Sequence, residues 1–244
     1  MEYITSLTNN RIKELTKLKD KKNRLLTRTF LVEGYHLVEE AKKHNRLKEV
    51  YTINEKDDFG VNTYIVTQEI MKKVSNVVTP PGIIGVVNMD SEKVDLSNYH
   101  KLLVLDSLQD PGNLGTLIRT SAALGIDAVI MTSDTVDVYN DKVVRSTQGA
   151  IFKTKCIYLD KKEIIAALKV NDFDIVVSAL KGAKNLNEII PTKHFAVVIG
   201  NEAQGVSSEF IAAATTKVVI PMQNDVESLN ASVAGGIILY YYLQ

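Results

Sequence analysis

Cysteine and histidine are scarce in this 244-residue chain, with one of the former and four of the latter. A lone Cys156 excludes an internal disulfide and any cysteine-rich metal centre, which suits a reducing compartment. His36, His44, His100 and His194 show no metal-ligand spacing, so no zinc site is expected. Net charge is lacking too. The 29 Lys and Arg balance 29 Asp and Glu, a sum that by itself favours no class of partner. The amino terminus, MEYITSLTNNRIKEL, has none of the apolar core of a secretory signal. The longest apolar run, Ala231 to Leu243, is too short to cross a bilayer and reads as a buried helix. The expectation is a soluble cytoplasmic protein with no membrane partner and no metal.

What is present is enough apolar residue, 45% against 24% charged, to bury a proper core. The length suggests one principal domain and a smaller one. Between Arg11 and Arg28 the charge is locally uneven: eight basic residues, Lys21 and Lys22 among them, face only Glu14 and Asp20. Such a block can supply phosphate contacts, although a solvated helix face is the blander reading. Asn9 or Asn10 can cap a helix running to about Leu26, with Ile12, Leu15, Leu18 and Leu25 as its apolar stripe. Strands at TFLVE, VYTI, TYIV and GIIGVV then alternate with helices at His36 to His44 and Gln68 to Val74, which fits a small α/β domain. The polar stretch Asn88 to His100 reads as a linker, so the domains are placed at residues 1–95 and 96–244.

Three apolar runs in the larger domain, KLLVLD, FAVVI and KVVI, each end in a polar, turn-forming cluster rather than a hairpin turn. Parallel strands read as continuous apolar runs, and open α/β sheets bind ligands beyond the carboxyl ends of their strands. Gly200-Asn201-Glu202 and Met222 to Asn230 are therefore candidate ligand loops. The first run leads through SLQDPGN into a helix from Leu114 to Leu124 and then the strand DAVIM, a βαβ unit. Its loop holds only Gly112 and Gly115, so the G-x-G-x-x-G dinucleotide fingerprint is missing and an NAD enzyme is disfavoured. Asn113 and Arg119 stand out there, although a surface arginine paired with a carboxylate is the default reading of Arg119.

DSLQDPGNLGTLIRT, VVIGNEAQGVS and VVIPMQNDVESLNASVA, each following a strand, resemble in order and spacing the three motifs of the SpoU (TrmH-type) branch of the SPOUT RNA methyltransferases. The likeness covers about Lys101 to Leu243. DKVVRSTQGAIF resembles the segment this family carries between its first two motifs, and the small α/β region resembles the substrate-binding domain found in front of many members. The resemblance implies an α/β fold: a SPOUT-type parallel sheet with helices on both faces and a C-terminal trefoil knot, although knots run against the general expectation. It implies a homodimer that uses S-adenosylmethionine to methylate a ribose 2′-hydroxyl of RNA; members act on rRNA or tRNA, and the extra N-terminal domain tilts the expectation towards rRNA, with tRNA as the alternative. By motif position the cofactor falls to Gly200, Ile220, Met222 and Leu229, with Ala179 in addition. The catalytic positions carried over are Arg119, Asn113, Glu202, Ser228 and Asn230. Asn113 and Asn230 would orient Arg119 or the ribose, and Glu202 would fix the loop or a substrate group. Ser228 can equally be read as the cap of the last helix. The chain departs from the family in having Asn224 where glycine is common, and asparagine is the residue that best tolerates the positive φ such a turn needs. A non-catalytic RNA-binding protein is the other reading these motifs leave.

Overall fold

A computed structural model describes residues 2–90, 95–179, 182–224 and 228–244. The chain divides into two compact units, residues 1–91 with 139–152 and residues 92–138 with 153–244. The first unit begins β1 (Glu2–Ile4), α1 (Asn10–Lys17), α2 (Lys21–Thr27), β2 (Thr29–Glu33) and α3 (Tyr35–Lys43). It continues with β3 (Leu47–Thr52), β4 (Asn62–Val66), α4 (Gln68–Val74) and β5 (Ile83–Asn88). Its described strands form a mixed sheet in the order β1-β4-β3-β5-β2, with β5 antiparallel to both of its neighbours.

The single helix expected to reach Leu26 is two helices. Asn9 caps α1 as predicted, its Oδ1 accepting the Arg11 N–H at 2.8 Å. Ile12, Leu15 and Leu18 are buried as predicted, in a cluster with Tyr51, Tyr64 and Val86. Leu25 is not: it is 48% exposed, whereas Arg24 is 6% exposed. The reason lies in the break between the helices. Its carbonyls need donors, and the Arg24 guanidinium gives hydrogen bonds to Leu18 O at 2.9 Å and Lys19 O at 2.6 Å.

Much of the basic block is internal wiring as well. Arg11 lies over the Tyr64 ring at 4.7 Å, Lys19 donates to the carbonyls of Lys73 and Ser75, and Lys17 pairs with Glu14. Lys13, Lys21 and Lys22 are left exposed. In the expected linker, Asn88 closes β5, residues 91–94 lie outside the described residues, and Leu96–Asn98 form a short 3₁₀ turn.

The second unit opens with β6 (Lys101–Asp106), α5 (Pro111–Leu124) and β7 (Ala128–Thr132). Helix α5 starts earlier than its apolar periodicity indicated, because Asp110 accepts the Asn113 N–H and Pro111 occupies the first helical position. It ends at Gly125 with φ +68°. The chain then crosses the boundary expected at 95/96. Helix α6 (Asp141–Thr147) and its flanks pack in the first unit, where the Tyr139 and Phe152 rings lie 4.7 and 6.4 Å from that of Phe30.

The remaining elements are β8 (Lys155–Leu159), α7 (Lys161–Val170), β9 (Asp174–Ser178), β10 (Lys184–Asn185), β11 (Phe195–Gly200), α8 (Ser208–Ala213), β12 (Thr216–Val219) and α9 (Ala231–Tyr242). The described strands of this unit make one parallel sheet, ordered β10-β12-β9-β11-β6-β7-β8. Helices cover both faces, as expected. On one, Ile164 and Leu168 of α7 and Phe210 of α8 join Leu102, Val104 and Val198. On the other, α9 lies on β11, with Tyr242 against Phe195, and Gly235 lets α5 come close. A Cβ on Gly235 would stand 2.6 Å from Leu117 Cδ2, so this small residue serves packing inside the chain.

Arg24→Ala strands two carbonyls at the helix break and should cost about 1–3 kcal/mol of unfolding free energy, whereas Leu25→Ala should stay within about 0.5 kcal/mol. Urea denaturation of the two variants against the parent measures both, and equal costs would contradict this account of the break.

Candidate active site

The site grows from the carboxyl ends of neighbouring strands. Gly200 at the end of β11 is in register with Asp106 at the end of β6, which sets the loops that follow side by side. The β11 loop turns back immediately: Asn201 and Gly205 exchange backbone hydrogen bonds at 3.0 and 2.8 Å, and Gly205 has φ +72°. No side chain fits at Gly200, where a Cβ would stand 2.1 Å from the Gly205 carbonyl carbon. Asn201 holds the turn from within, its Oδ1 accepting the N–H groups of Ala203 and Gln204 while Nδ2 donates to Ser107 O. Buried Asp106 accepts the Ser207 N–H at 2.7 Å and pairs with Lys161 at 3.1 Å. Asp106 and Asp110 were not singled out in the sequence, and Asn201 only as a member of the Gly200-Asn201-Glu202 loop. The signal for Asp110 was there, an Asp before a helix-starting Pro.

The turn aims Glu202 at the start of α5. Its carboxylate accepts the Gln109 N–H at 3.1 Å, the Asp110 N–H at 2.9 Å and Asn113 Nδ2 at 3.1 Å. Asn113 Oδ1 accepts from Asn230 Nδ2 at 2.9 Å, and Asn230 Oδ1 accepts the N–H groups of Ser232 and Val233 at the start of α9. Residues from all three motif segments thus form one relay. Its polarity is fixed at both ends, since a carboxylate only accepts and a helix N-terminus only donates. The two amides between them have one consistent orientation. Burial pushes the Glu202 carboxyl up, but the Asn113 amide and the backbone N–H donors outweigh it and leave it below the ordinary glutamate range.

A cavity of about 810 Å³ opens between these loops. Its lining includes every residue assigned above to the cofactor: Gly200, Ile220, Met222, Leu229 and Ala179. Glu202, Ser228 and Asn230 line it too. Asn230, not Ser228, caps α9. Asn224 adopts φ +59°, the left-handed turn expected of it. Asn113 is buried in the first turn of α5, in the relay rather than bonded to Arg119. Arg119 is exposed on α5, is not part of the cavity lining, and makes no hydrogen bond or ion pair among the described residues. The described residues contain no group of three or more potential metal ligands, and no described helix is long and apolar enough to cross a membrane.

Residues 100–240 match the family model described as the SpoU rRNA methylase family. The chain belongs to that family. Residues 9–85 of this SpoU protein also match a model for an MRM3-like substrate-binding domain. Over 99% of both chains it is 35% identical to a 23S rRNA (guanosine(2553)-2′-O)-methyltransferase, RlmP, of Bacillus subtilis. An AdoMet-bound rRNA methyltransferase structure from Sinorhizobium meliloti superposes with TM-score 0.90 at 27% identity, over 99% of this chain and 97% of that one. A crystal structure of an RNA 2′-O ribose methyltransferase aligns with 99% of this chain and 98% of its own, with TM-score 0.82 and 30% identity. The family assignment makes the chain an RNA methylase.

Because the folded Glu202 carboxyl titrates below its unfolded value, its stabilisation is fully present above the ordinary glutamate pKa of about 4.3 and is lost as pH falls through the lower folded value. Glu202→Gln should therefore be less stable than the parent near neutral pH, and the gap should narrow below about pH 4. Thermal melts across that range check the sign, and a gap that widens in acid would refute it.

Proposed function

We propose that this enzyme methylates a ribose 2′-hydroxyl of ribosomal RNA in the cytoplasm, as a homodimer whose C-terminal segment is knotted. The relay from Glu202 through Asn113 to Asn230 carries the reading. It joins the β6, β11 and β12 loops into one rigid wall around a cavity suited to S-adenosylmethionine. The fit is chemical as well as volumetric. Ile199, Val206 and Leu229 offer apolar surface to a purine ring, and Asn201, Gln204 and Ser228 offer polar groups to an amino acid moiety and a ribose. Backbone groups at Gly200, Ile220, Met222 and Leu229, with Ala179, would hold it. Bound there, S-adenosylmethionine supplies a methyl group already activated by its sulfonium charge.

Glu202 is occupied by three donors of its own loops, which suits holding the wall rather than taking a proton. Asn113 and Asn230 fix the angle between α5 and α9, and Ser228 faces the cavity for a substrate or cofactor contact. A guanidinium presents a planar fork of donors that matches phosphate oxygens, so the role of Arg119 is to hold the RNA phosphate and stabilise the developing 2′-oxyanion. Its position outside its own chain's cavity lining favours action on a second copy. The surface for that copy is the groove lined by Thr116 of α5 and Gly236, Ile237 and Tyr240 of α9, with Val233, Ile237 and Tyr240 49%, 40% and 59% exposed. The knot is supported by strand order: β12, later in the chain than both, lies between β9 and β10 in the sheet. Ribosomal RNA is supported by the name of the B. subtilis relative and by the match of residues 9–85 to a substrate-binding domain.

Transfer of labelled methyl to RNA from a strain lacking the protein, followed by nucleoside analysis, tests the whole reading; a 2′-O-methylnucleoside confined to tRNA would overturn the rRNA assignment. Arg119→Ala should remain folded and bind the cofactor normally while losing transfer. Mixed with an inactive Gly200→Ala variant it should regain activity through heterodimers, and no regain would place Arg119 in the site of its own chain. Lys21 and Lys22 changed together to Glu should weaken RNA binding in a salt-dependent way, and an unchanged Kd would return this helix to a merely solvated face.

A further inference from the structure

A second hollow, of about 330 Å³, lies within the first unit between the α1–α2 pair and the sheet. That size is at the small end of ligand sites, roughly 300–1,000 Å³. Its floor is apolar, made by Leu15, Leu18, Tyr51 and Val86. Its rim is polar and holds groups with hydrogen-bonding capacity to spare. Glu49 is half-buried there, and its Oε2 accepts the Tyr51 hydroxyl at 3.0 Å. Burial and the Glu49 charge push the Tyr51 hydroxyl far above its ordinary pKa, so it stays the donor of that bond.

A break in the strand register places a cation beside that acceptor. Leu47 is paired with Val87 and Glu49 with Val86, so Lys48 is the extra residue of a β-bulge. In an unbroken strand residues 48 and 49 would face opposite ways; here both line the hollow. Lys48 is exposed and makes no hydrogen bond or ion pair among the described residues, and Lys13, Lys21 and Lys22 stand exposed on the two helices that form the other wall. Apolar floor, carboxylate acceptor and the free Lys48 at the rim are what one unstacked nucleotide requires: a place for the base, an edge to read and a cation for its phosphate.

We propose that this hollow binds a single unstacked guanosine of the RNA substrate, its base on the Leu15–Leu18–Tyr51–Val86 floor, its Watson–Crick edge on Glu49 and its phosphate on Lys48. Guanine is the base that offers two adjacent donors, N1–H and the 2-amino group, to a carboxylate that can only accept. Adenine and uracil present an acceptor where one of those donors must be. The inference rests on the assignment of the chain as an RNA methyltransferase and adds a recognition site separate from the methyl-transfer cavity.

The test uses the full-length protein and fluorescein-labelled UUGUU pentanucleotide, with UUIUU, in which inosine lacks the 2-amino group, and UUAUU as controls. The parent should bind UUGUU about tenfold more tightly than UUIUU, as one bidentate base contact implies. Glu49→Gln should abolish that preference while leaving the melting temperature unchanged. Lys48→Ala should weaken all three oligomers alike and lower the salt dependence by about one phosphate contact. Equal binding of the three oligomers by the parent, or an unchanged preference in Glu49→Gln, would overturn the proposal. Methyl transfer to cellular RNA is measured in parallel, so transfer without guanosine preference sinks the hollow alone, and loss of both sinks the RNA methyltransferase reading with it.

Discussion

The carboxylate of Glu202 is the group on which the second unit's architecture depends. It is held by donors contributed by a different strand's loop, and through two asparagine amides it is connected to the N-terminus of the last helix. A parallel sheet fixes its strands but leaves the loops beyond their carboxyl ends without mutual support. Here a chain of hydrogen bonds with one permitted direction supplies it. The glycine at the end of β11 is the geometric condition for the arrangement, since any side chain there would push the returning loop away. Asp106 completes it from below by holding the start of α8 to the end of β6.

That interdependence explains how structure and chemistry divide in the site. The residues with the strongest internal bonding, Glu202, Asn113 and Asn230, make the wall. The residue with the chemistry most suited to a phosphate, Arg119, has no partner among the described residues and stands on the solvent side of α5. In the function proposed above, a rigid pocket and an unengaged cation would be the two complementary halves of a transfer site, one built before substrate arrives and the other available when it does.

The sequence disclosed the second unit far better than the first. Buried parallel strands such as Phe195–Gly200 are unbroken apolar runs, and the polar clusters after them lie where ligands bind in open sheets, so strands and candidate loops could be read together. Asn224 announced its left-handed turn by residue type alone. What escaped depended on contacts distant in sequence. Leu25 and Arg24 exchanged their expected places because two carbonyls at a helix break outbid one apolar side chain for burial. Asn113 could not be seen to bond Asn230, 117 positions away, and nothing local reveals that Lys48 occupies a bulge. Nor does any pattern near Tyr139 show that its ring belongs beside Phe30.

That last pairing bears on how the protein is made. Synthesis proceeds from the amino terminus, and domains generally fold as they emerge. The first unit cannot close in that way, because Tyr139, α6 and Phe152 are translated only after β6, α5 and β7 of the second unit. Phe30 waits for its aromatic neighbours until more than half of the chain exists, and by then two strands of the second sheet, β6 and β7, have been made. The first unit is consequently a product of both gene halves: the half that precedes the polar stretch, cut there, does not encode its complete core.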